Sequence, residues 1–161
     1  MTLHLRKFLT VVVQATLVLA CTTMGSVWAQ QQPATPPAGP TLYARIGGYD
    51  FVARFVDTAF PRVASHPQLH RLFQGHSQDS LMRQRQLIVD ALCQAFGGPC
   101  LYIGRPMKPL HTGLKITSAD WTTFVGILSS TLDELKVPST ERQEFLNTLE
   151  RRFKVDVIDT L

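Results

Sequence analysis

From Thr41 onward the apolar residues recur every three or four positions, and no segment alternates apolar and polar residues as a half-buried β-strand does. The spacing is clear at residues 49–65, where Phe51, Phe55 and Ala59 fall on one face. A chain with this pattern buries its apolar side chains between packed helices. The sequence therefore predicts an all-α fold.

The same spacing predicts the order of the helices. It predicts a helix at 49–65, a turn of helix at 67–73, a helix at 80–96, a short helix around 106–113, and helices that begin at Thr117 and Pro138-Ser139. Pro61 is expected to bend the first helix or to end its regular hydrogen bonding. Thr117 and Asp120 have the spacing of a capping box.

The first 40 residues have a different character. Arg6 and Lys7 precede an apolar stretch at residues 8–20, which is short for a membrane span but suits the core of a signal peptide. We expect residues 1–29 to be a signal peptide cleaved after Ala29, and residues 30–40, rich in Gln and Pro, to be a linker. In a competing interpretation, an imperfect lipobox directs lipidation of Cys21 and makes the protein a membrane-anchored lipoprotein. Both interpretations predict export to the periplasm and a folded domain at residues 41–161.

Charge and motifs exclude several functions. The formal net charge of +4 falls to +2 without Arg6 and Lys7, and no run of Lys and Arg is long enough to follow a nucleic-acid backbone, so no nucleic-acid partner is predicted. The chain has no phosphate-binding loop, glycine fingerprint or Ser/His/Asp grouping at an elbow. It also has no Cys-x-x-Cys-His sequence, which excludes covalent attachment of a c-type haem.

Two polar residues lie on apolar faces of predicted helices. His111 shares one face of the short helix with Met107 and Leu110, so it is either a core histidine bonded to a backbone carbonyl or a neutral imidazole that binds a metal. Gln84 precedes Ile88 by one helical turn, so it either reaches solvent at a boundary position or lines a ligand cavity. Spacing alone leaves both alternatives open.

Several segments match one known family. They are LYARIGG at 42–48, Arg62-Val63 followed by Pro67 and Phe73, AFGGP at 95–99, and YIGRPMKPLHTGLKIT at 102–117. The last and most specific of them matches the family pattern Tyr-x-Gly-Arg-x-Met-x-x-x-His-x-x-Leu. Residues 41–157 thus resemble the truncated haemoglobins, or 2-on-2 globins, most closely those of group 1.

The resemblance implies a 2-on-2 helical sandwich around haem b, in which His111 is the proximal ligand of the iron and Phe73 stacks on the haem. Arg105 and Lys108 either pair with the haem propionates or are solvated basic residues at the surface. The implied pocket-lining positions are Met107, Leu110, Ile116 and Trp121.

On the distal side the sequence departs from the family. Phe60 stands where the family has a helix-B tyrosine that donates a hydrogen bond to the gas ligand. With a short insertion after Phe73, the alignment places Gln84 nearest the ligand and Ile88 behind it. Gln84 is then the one obvious distal donor.

These implications predict a haem protein that reversibly binds a diatomic gas, oxygen or nitric oxide, at the iron. Enzymatic use, as a nitric oxide dioxygenase or in a peroxidase-type reaction, is left open, and it would require an electron donor of unknown identity. The alternative hypothesis is an exported, cofactor-free helical module that keeps the globin fold for interactions. The presence of His111 and Phe73 argues against that alternative.

Cys93 and Cys100 lie on either side of the Gly97-Gly98 break. In an oxidising compartment they would form a disulfide, and otherwise they would be two buried thiols. Zinc binding is not expected, because no further Cys or suitably spaced His completes a set of four ligands.

Overall fold

The computed structural model describes residues 39–159, and this part of the chain contains helices and no strand, which confirms the predicted all-α class. The predicted signal peptide and lipidation site, and most of the linker, lie outside the described residues. The helices are α1 (Leu42–Arg45), α2 (Gly48–Ser65), α3 (Gln78–Ala95), α4 (Met107–His111), α5 (Ser118–Glu134), α6 (Ser139–Arg152) and α7 (Lys154–Val157). A 3-10 turn at His70–Phe73 joins α2 to α3. Between residues 39 and 159, no helix has the length and apolarity needed to cross a membrane.

The helix boundaries follow from local chemistry. Pro61 does not end α2, which continues to Ser65, because the proline lies on the exposed face, where water can bond the carbonyl that its missing N–H leaves free. Helix α3 begins earlier than the apolar spacing indicates, because the Ser77 side chain caps it by accepting the N–H of Ser80 at 3.2 Å.

The predicted capping box opens α5. The Thr117 hydroxyl accepts the Asp120 N–H at 3.1 Å, and the Asp120 carboxylate accepts the Thr117 N–H at 2.9 Å. Ile116 and Trp121, on either side of the box, are both buried. The box therefore fixes the point at which the chain leaves the loop after α4 and enters α5.

Aromatic rings join the two helix pairs in the core. The ring of Phe145 on α6 lies 4.8 Å from the ring of Phe55 on α2 and 4.4 Å from that of Phe96, just after α3. Helix α2 packs against both α3 and α5, and α5 packs against α6. This arrangement of α2 and α3 with α5 and α6 is the predicted two-on-two sandwich.

A disulfide joins Cys93 on α3 to Cys100 in the following loop, with Cα atoms 5.7 Å apart. The interpretation of these residues as two free thiols is therefore wrong. Gly98 lies inside the closed loop, where a Cβ atom would approach the Cys93 sulfur and the Tyr43 ring to 2.7 Å. Only glycine fits this position without displacing its neighbours.

Candidate functional site

A cavity of about 530 Å³ lies within the described domain, bounded by side chains from both helix pairs, the 3-10 turn and α4. Its lining is mostly apolar, as is usual for a cofactor site. The structure brings nine of the ten predicted site residues to its wall. They are Phe60, Phe73, Gln84, Ile88, Met107, Leu110, His111, Ile116 and Trp121.

His111 is the last residue of the five-residue helix α4, and its side chain is half-buried at the cavity wall. Its Nδ1 lies 2.8 Å from the carbonyl oxygen of Met107. Because a carbonyl only accepts, Nδ1 carries the proton of this bond, and Nε2 of the neutral ring keeps its lone pair. Within residues 39–159, Nε2 has no hydrogen-bond partner. The imidazole is therefore bonded to a carbonyl, as the first interpretation predicts, and its free Nε2 keeps the metal-binding interpretation compatible with the structure.

Gln84 on α3 supplies a second polar group at the cavity. Its Oε1 is buried and has no hydrogen-bond partner among the described residues. Leaving a buried amide group unpaired costs about 1–3 kcal/mol, so such groups are uncommon outside functional sites. The interpretation of Gln84 as a cavity-lining residue is thus the one that the structure favours.

Apolar side chains from α2, the 3-10 turn and α3 form another part of the cavity wall. The Phe60 ring on α2 meets the Phe73 ring edge-on, with centroids 5.7 Å apart and planes at 77°. Ile88 lies one turn after Gln84 on α3 and is half-buried. This part of the wall carries no hydroxyl group at the position of Phe60.

Trp121 is fixed in the wall formed by α5. Its Nε1 donates a hydrogen bond of 2.6 Å to Glu150, and its ring lies 5.5 Å from that of Phe124. Trp121 is almost fully buried, whereas Leu110 on α4 is 38% exposed. Leu110 therefore lies at the rim of the cavity, and Trp121 in its interior.

Arg105 is the predicted site residue that the structure places outside the cavity wall. It is exposed, and its guanidinium lies 3.5 Å from the carbonyl oxygen of Pro109. The spacing of a residue identifies its helix face, but it does not fix where a long charged side chain points. Three polar residues that the sequence analysis missed, His76, Ser80 and Arg83, line the cavity instead. The helical spacing from Gln84 back to Ser80 would have indicated the second of them.

A polar network closes the cavity wall at the start of α5. Asp120 is buried and accepts hydrogen bonds from Gln68 at 2.9 Å and from Arg71 at 2.7 Å, besides those of the capping box. Burial alone would raise the pKa of Asp120, but the hydrogen bonds from Thr117 and Gln68 and the charge of Arg71 outweigh it and hold that pKa below its ordinary value. The carboxylate is therefore ionised at neutral pH.

Tyr102 occupies the wall beside the loop after α3. Its hydroxyl donates to the Arg105 carbonyl at 2.7 Å, and its N–H donates to Gln94 at 2.8 Å. Burial raises the pKa of its phenol. Gly104 lies directly under the ring, where a Cβ would come within 2.3 Å of the hydroxyl oxygen. This contact explains the pairing of tyrosine and glycine in the segment at 102–117.

Together these features fit a haem group. An apolar cavity accommodates the faces of the macrocycle, and the free Nε2 of His111 is the donor that haem iron takes from a proximal histidine in globins. The Gln84 amide is a second polar group on the wall, and its buried Oε1 has no hydrogen-bond partner among the described residues.

Comparison with known proteins agrees with this geometry. The family model for bacterial-like globins matches residues 41–158, and the chain belongs to that family. A group 1 truncated hemoglobin of Mycolicibacterium paratuberculosis is 32% identical over 109 residues, which cover 68% of this chain and 78% of the relative. Among solved structures, the truncated hemoglobin of Tetrahymena pyriformis in the Fe(III) form has a TM-score of 0.69 at 22% identity and covers 75% of this chain and 100% of its own. The hemoglobin of Chloroflexus aurantiacus has a TM-score of 0.65 at 26% identity, with 76% and 100% covered.

Membership of this family makes the protein a haem-binding globin that binds diatomic gases, with haem iron as its cofactor. The hypothesis of a cofactor-free helical module is not favoured.

Proposed function

We propose that this protein is a group 1 truncated haemoglobin that binds haem b through His111 and reversibly binds oxygen or nitric oxide. The observation that carries the proposal is the free Nε2 of His111 at the wall of an apolar cavity. The similarity to a relative described as a group 1 truncated hemoglobin supports the assignment to that group.

Each part of the cavity wall has a role in this proposal. His111 holds the iron, and Phe73 packs against a face of the cofactor. Haem, when bound, supplies an iron with one open coordination position for the gas. The apolar residues of the wall keep water away from that position; they include Met107, Leu110, Ile116 and Trp121.

On the opposite side of the cofactor, Phe60 and Ile88 provide apolar contacts and Gln84 provides the hydrogen-bond donor. Arg83 lines the cavity and Arg105 does not, so Arg83 is better placed to pair with a carboxylate substituent of the cofactor. In this proposal the hydrogen bond to the gas ligand comes from the Gln84 amide, since Phe60 carries no phenol.

Haem titration of the full chain tests this proposal. Purified protein should bind one haem per chain with a Soret band, and His111→Ala should greatly weaken that binding. His70→Ala is the matched control, because the Nδ1 of His70 is bonded to the Ala64 carbonyl at 3.0 Å and His70 does not line the cavity. Unchanged haem affinity and an unchanged spectrum in His111→Ala would show the proximal assignment to be wrong.

We also propose that the protein is exported to the periplasm. Arg6, Lys7 and the apolar stretch at residues 8–20 support a signal peptide, and a disulfide is typical of oxidising compartments. The mass of the mature protein distinguishes the two forms of export, since cleavage after Ala29 leaves Gln30 at the N-terminus, whereas lipidation leaves a modified Cys21. Full-length protein in the cytoplasmic fraction would contradict both.

A further inference from the structure

The turn that follows His111 has a strained backbone. Lys115, four residues after the histidine, has φ +53°, a conformation that residues with a side chain rarely adopt. Gly113 in the same turn has φ +85°, which glycine tolerates. A strained non-glycine residue persists only where its surroundings hold it, and such residues cluster at functional sites.

Asp159, just after α7, holds this turn through three hydrogen bonds. Its carboxylate accepts the N–H of Lys115 at 2.6 Å and the N–H of Gly113 at 3.3 Å. Its own N–H donates to the Ile116 carbonyl at 3.0 Å. Hydrogen bonds to an ionised carboxylate are stronger than hydrogen bonds between neutral groups. Asp159 thus bonds to three residues of the turn, Gly113, Lys115 and Ile116.

Arg71, in the 3-10 turn, donates hydrogen bonds to carbonyl groups of the same segment. Its guanidinium donates to Leu114 at 3.0 Å and to Lys115 at 3.2 Å, and it also pairs with Asp120. Lys115 therefore has its N–H bonded to a carboxylate and its carbonyl bonded to a guanidinium. Two charged side chains from distant parts of the sequence therefore form hydrogen bonds with the same strained residue, Lys115.

The turn is connected directly to the histidine. The Leu114 N–H donates to the His111 carbonyl at 3.1 Å, and α4 is only five residues long. So short a helix does not fix its own orientation by internal hydrogen bonds, because most of its backbone groups lie at an end. The direction of the imidazole therefore depends on the segments that flank α4.

We propose that Asp159 and Arg71 are positioning residues that clamp the turn at residues 112–116 and thereby fix the orientation of the His111 imidazole relative to the iron. This inference rests on the proposed function of His111. A merely structural role would lower the stability of the fold without changing the bond between the imidazole and the iron.

The experiment compares Asp159→Ala with Asp156→Ala in the haem-loaded full chain. Asp156 lies in α7, and within residues 39–159 its carboxylate makes no hydrogen bond, so its removal is a matched loss of charge. Asp159→Ala should shift the iron–histidine stretching band of the ferrous protein and should speed haem transfer to an acceptor apoglobin by about tenfold, as expected for the loss of a charge-assisted hydrogen bond. Asp156→Ala should leave both unchanged. The same band and the same transfer rate in both variants would overturn the proposal.

Lys115→Gly provides the rescue test. Glycine adopts positive φ without a clamp, so adding Lys115→Gly to Asp159→Ala should return the stretching band towards its wild-type position. A band that stays displaced in the double variant would overturn the link between strain and imidazole orientation. If Asp159→Ala loses helical circular dichroism, Asp159→Asn replaces it, and a smaller displacement of the same band is expected because one acceptor oxygen remains.

Two further readouts separate this inference from the proposed function. Wild-type protein without a Soret band on haem addition would refute the proposed function itself. Amide hydrogen exchange at Gly113 and Lys115 tests the clamp directly and should accelerate in Asp159→Ala but not in Asp156→Ala. Unchanged exchange at both amides would refute the clamp even if wild-type protein binds haem.

Discussion

The ring of Phe60 meets the ring of Phe73 edge-on, with centroids 5.7 Å apart, so an aromatic pair lies in the cavity wall, and it includes the residue predicted to replace the helix-B tyrosine of truncated haemoglobins. The pair joins α2 to the 3-10 turn and contributes no hydrogen-bond donor to the cavity. In the proposed arrangement Gln84 donates to the gas ligand, and His76, Ser80 and Arg83 are further polar groups on the cavity wall.

Phe60→Tyr should slow the release of oxygen from the haem-loaded ferrous protein. A hydroxyl at this position would donate to a partly charged acceptor, and such a bond is worth about 1.5–3 kcal/mol, which corresponds to a rate lower by about one to two powers of ten. Stopped-flow measurement of oxygen dissociation gives the rate. Phe124→Tyr is the control, because it adds the same hydroxyl to a different wall of the cavity. Equal rates in wild type and Phe60→Tyr would show that Phe60 does not occupy the distal position.

Acid should destabilise the fold through Asp120. Its pKa is lower in the folded protein than in the unfolded chain, so the ionised carboxylate contributes stability above the unfolded pKa, and this contribution is lost as the pH falls through the folded pKa. Asp120→Asn should lower the free energy of unfolding by about 1–2 kcal/mol at pH 7 and should weaken its dependence on pH below about 5. Urea unfolding at several pH values measures both effects. Asp156→Asn is the control, and an equally steep acid dependence in Asp120→Asn would contradict the prediction.

Reduction of the Cys93–Cys100 disulfide should lower the melting temperature without removing haem. The bridge closes a loop with a sequence separation of 7, and in the chain-entropy model it contributes at most about 2–3 kcal/mol. Neither cysteine lines the cavity, so Cys93→Ala and Cys100→Ala should each retain the Soret band. Thermal unfolding with and without reductant measures the effect, and the double variant should not respond to reductant. Loss of the Soret band in either single variant would contradict this prediction.

The local part of the site could be predicted from the sequence. Helical spacing placed His111 among Met107 and Leu110, and the bond from its Nδ1 to the Met107 carbonyl joins residues one turn apart. The capping box of Thr117 and Asp120 is likewise a contact between close neighbours in the chain. Such features depend on the spacing of residues along a helix, which the sequence displays directly.

The long-range part of the site could not be predicted in the same way. Arg71 and Asp159 each lie 44 positions from Lys115 in the sequence. Only the packing of α7 against α4, and the contact of the 3-10 turn with the turn after α4, bring them together. The strain at Lys115 is equally hidden, because nothing in its residue type indicates a positive φ. The direction of the Arg105 side chain depends on a contact with the Pro109 carbonyl that spacing does not identify.

Gln84 should lower the stability of the haem-free protein and slow the release of the gas ligand from the haem-loaded protein. In the haem-free protein its buried Oε1 has no partner among the described residues, and an unpaired buried group costs about 1–3 kcal/mol. Gln84→Leu removes that group and keeps an apolar side chain at the wall, so it should raise the free energy of unfolding of the haem-free protein. In the haem-loaded protein the same variant should release oxygen about two- to tenfold faster, since a hydrogen bond from a neutral amide is worth about 0.5–1.5 kcal/mol.

Gln86→Leu is the matched control for this prediction. The Gln86 amide donates to the Tyr49 hydroxyl and to Asp90, each at 3.0 Å, and it does not line the cavity. Because its hydrogen bonds are satisfied, Gln86→Leu should lower stability and leave oxygen release unchanged. Chemical unfolding of the haem-free proteins and stopped-flow oxygen dissociation of the haem-loaded proteins give the two quantities for each variant. A Gln84→Leu protein that is less stable than wild type and releases oxygen at the same rate would contradict the distal role of Gln84. The amide would then be paired within the fold and would make no hydrogen bond to the gas ligand.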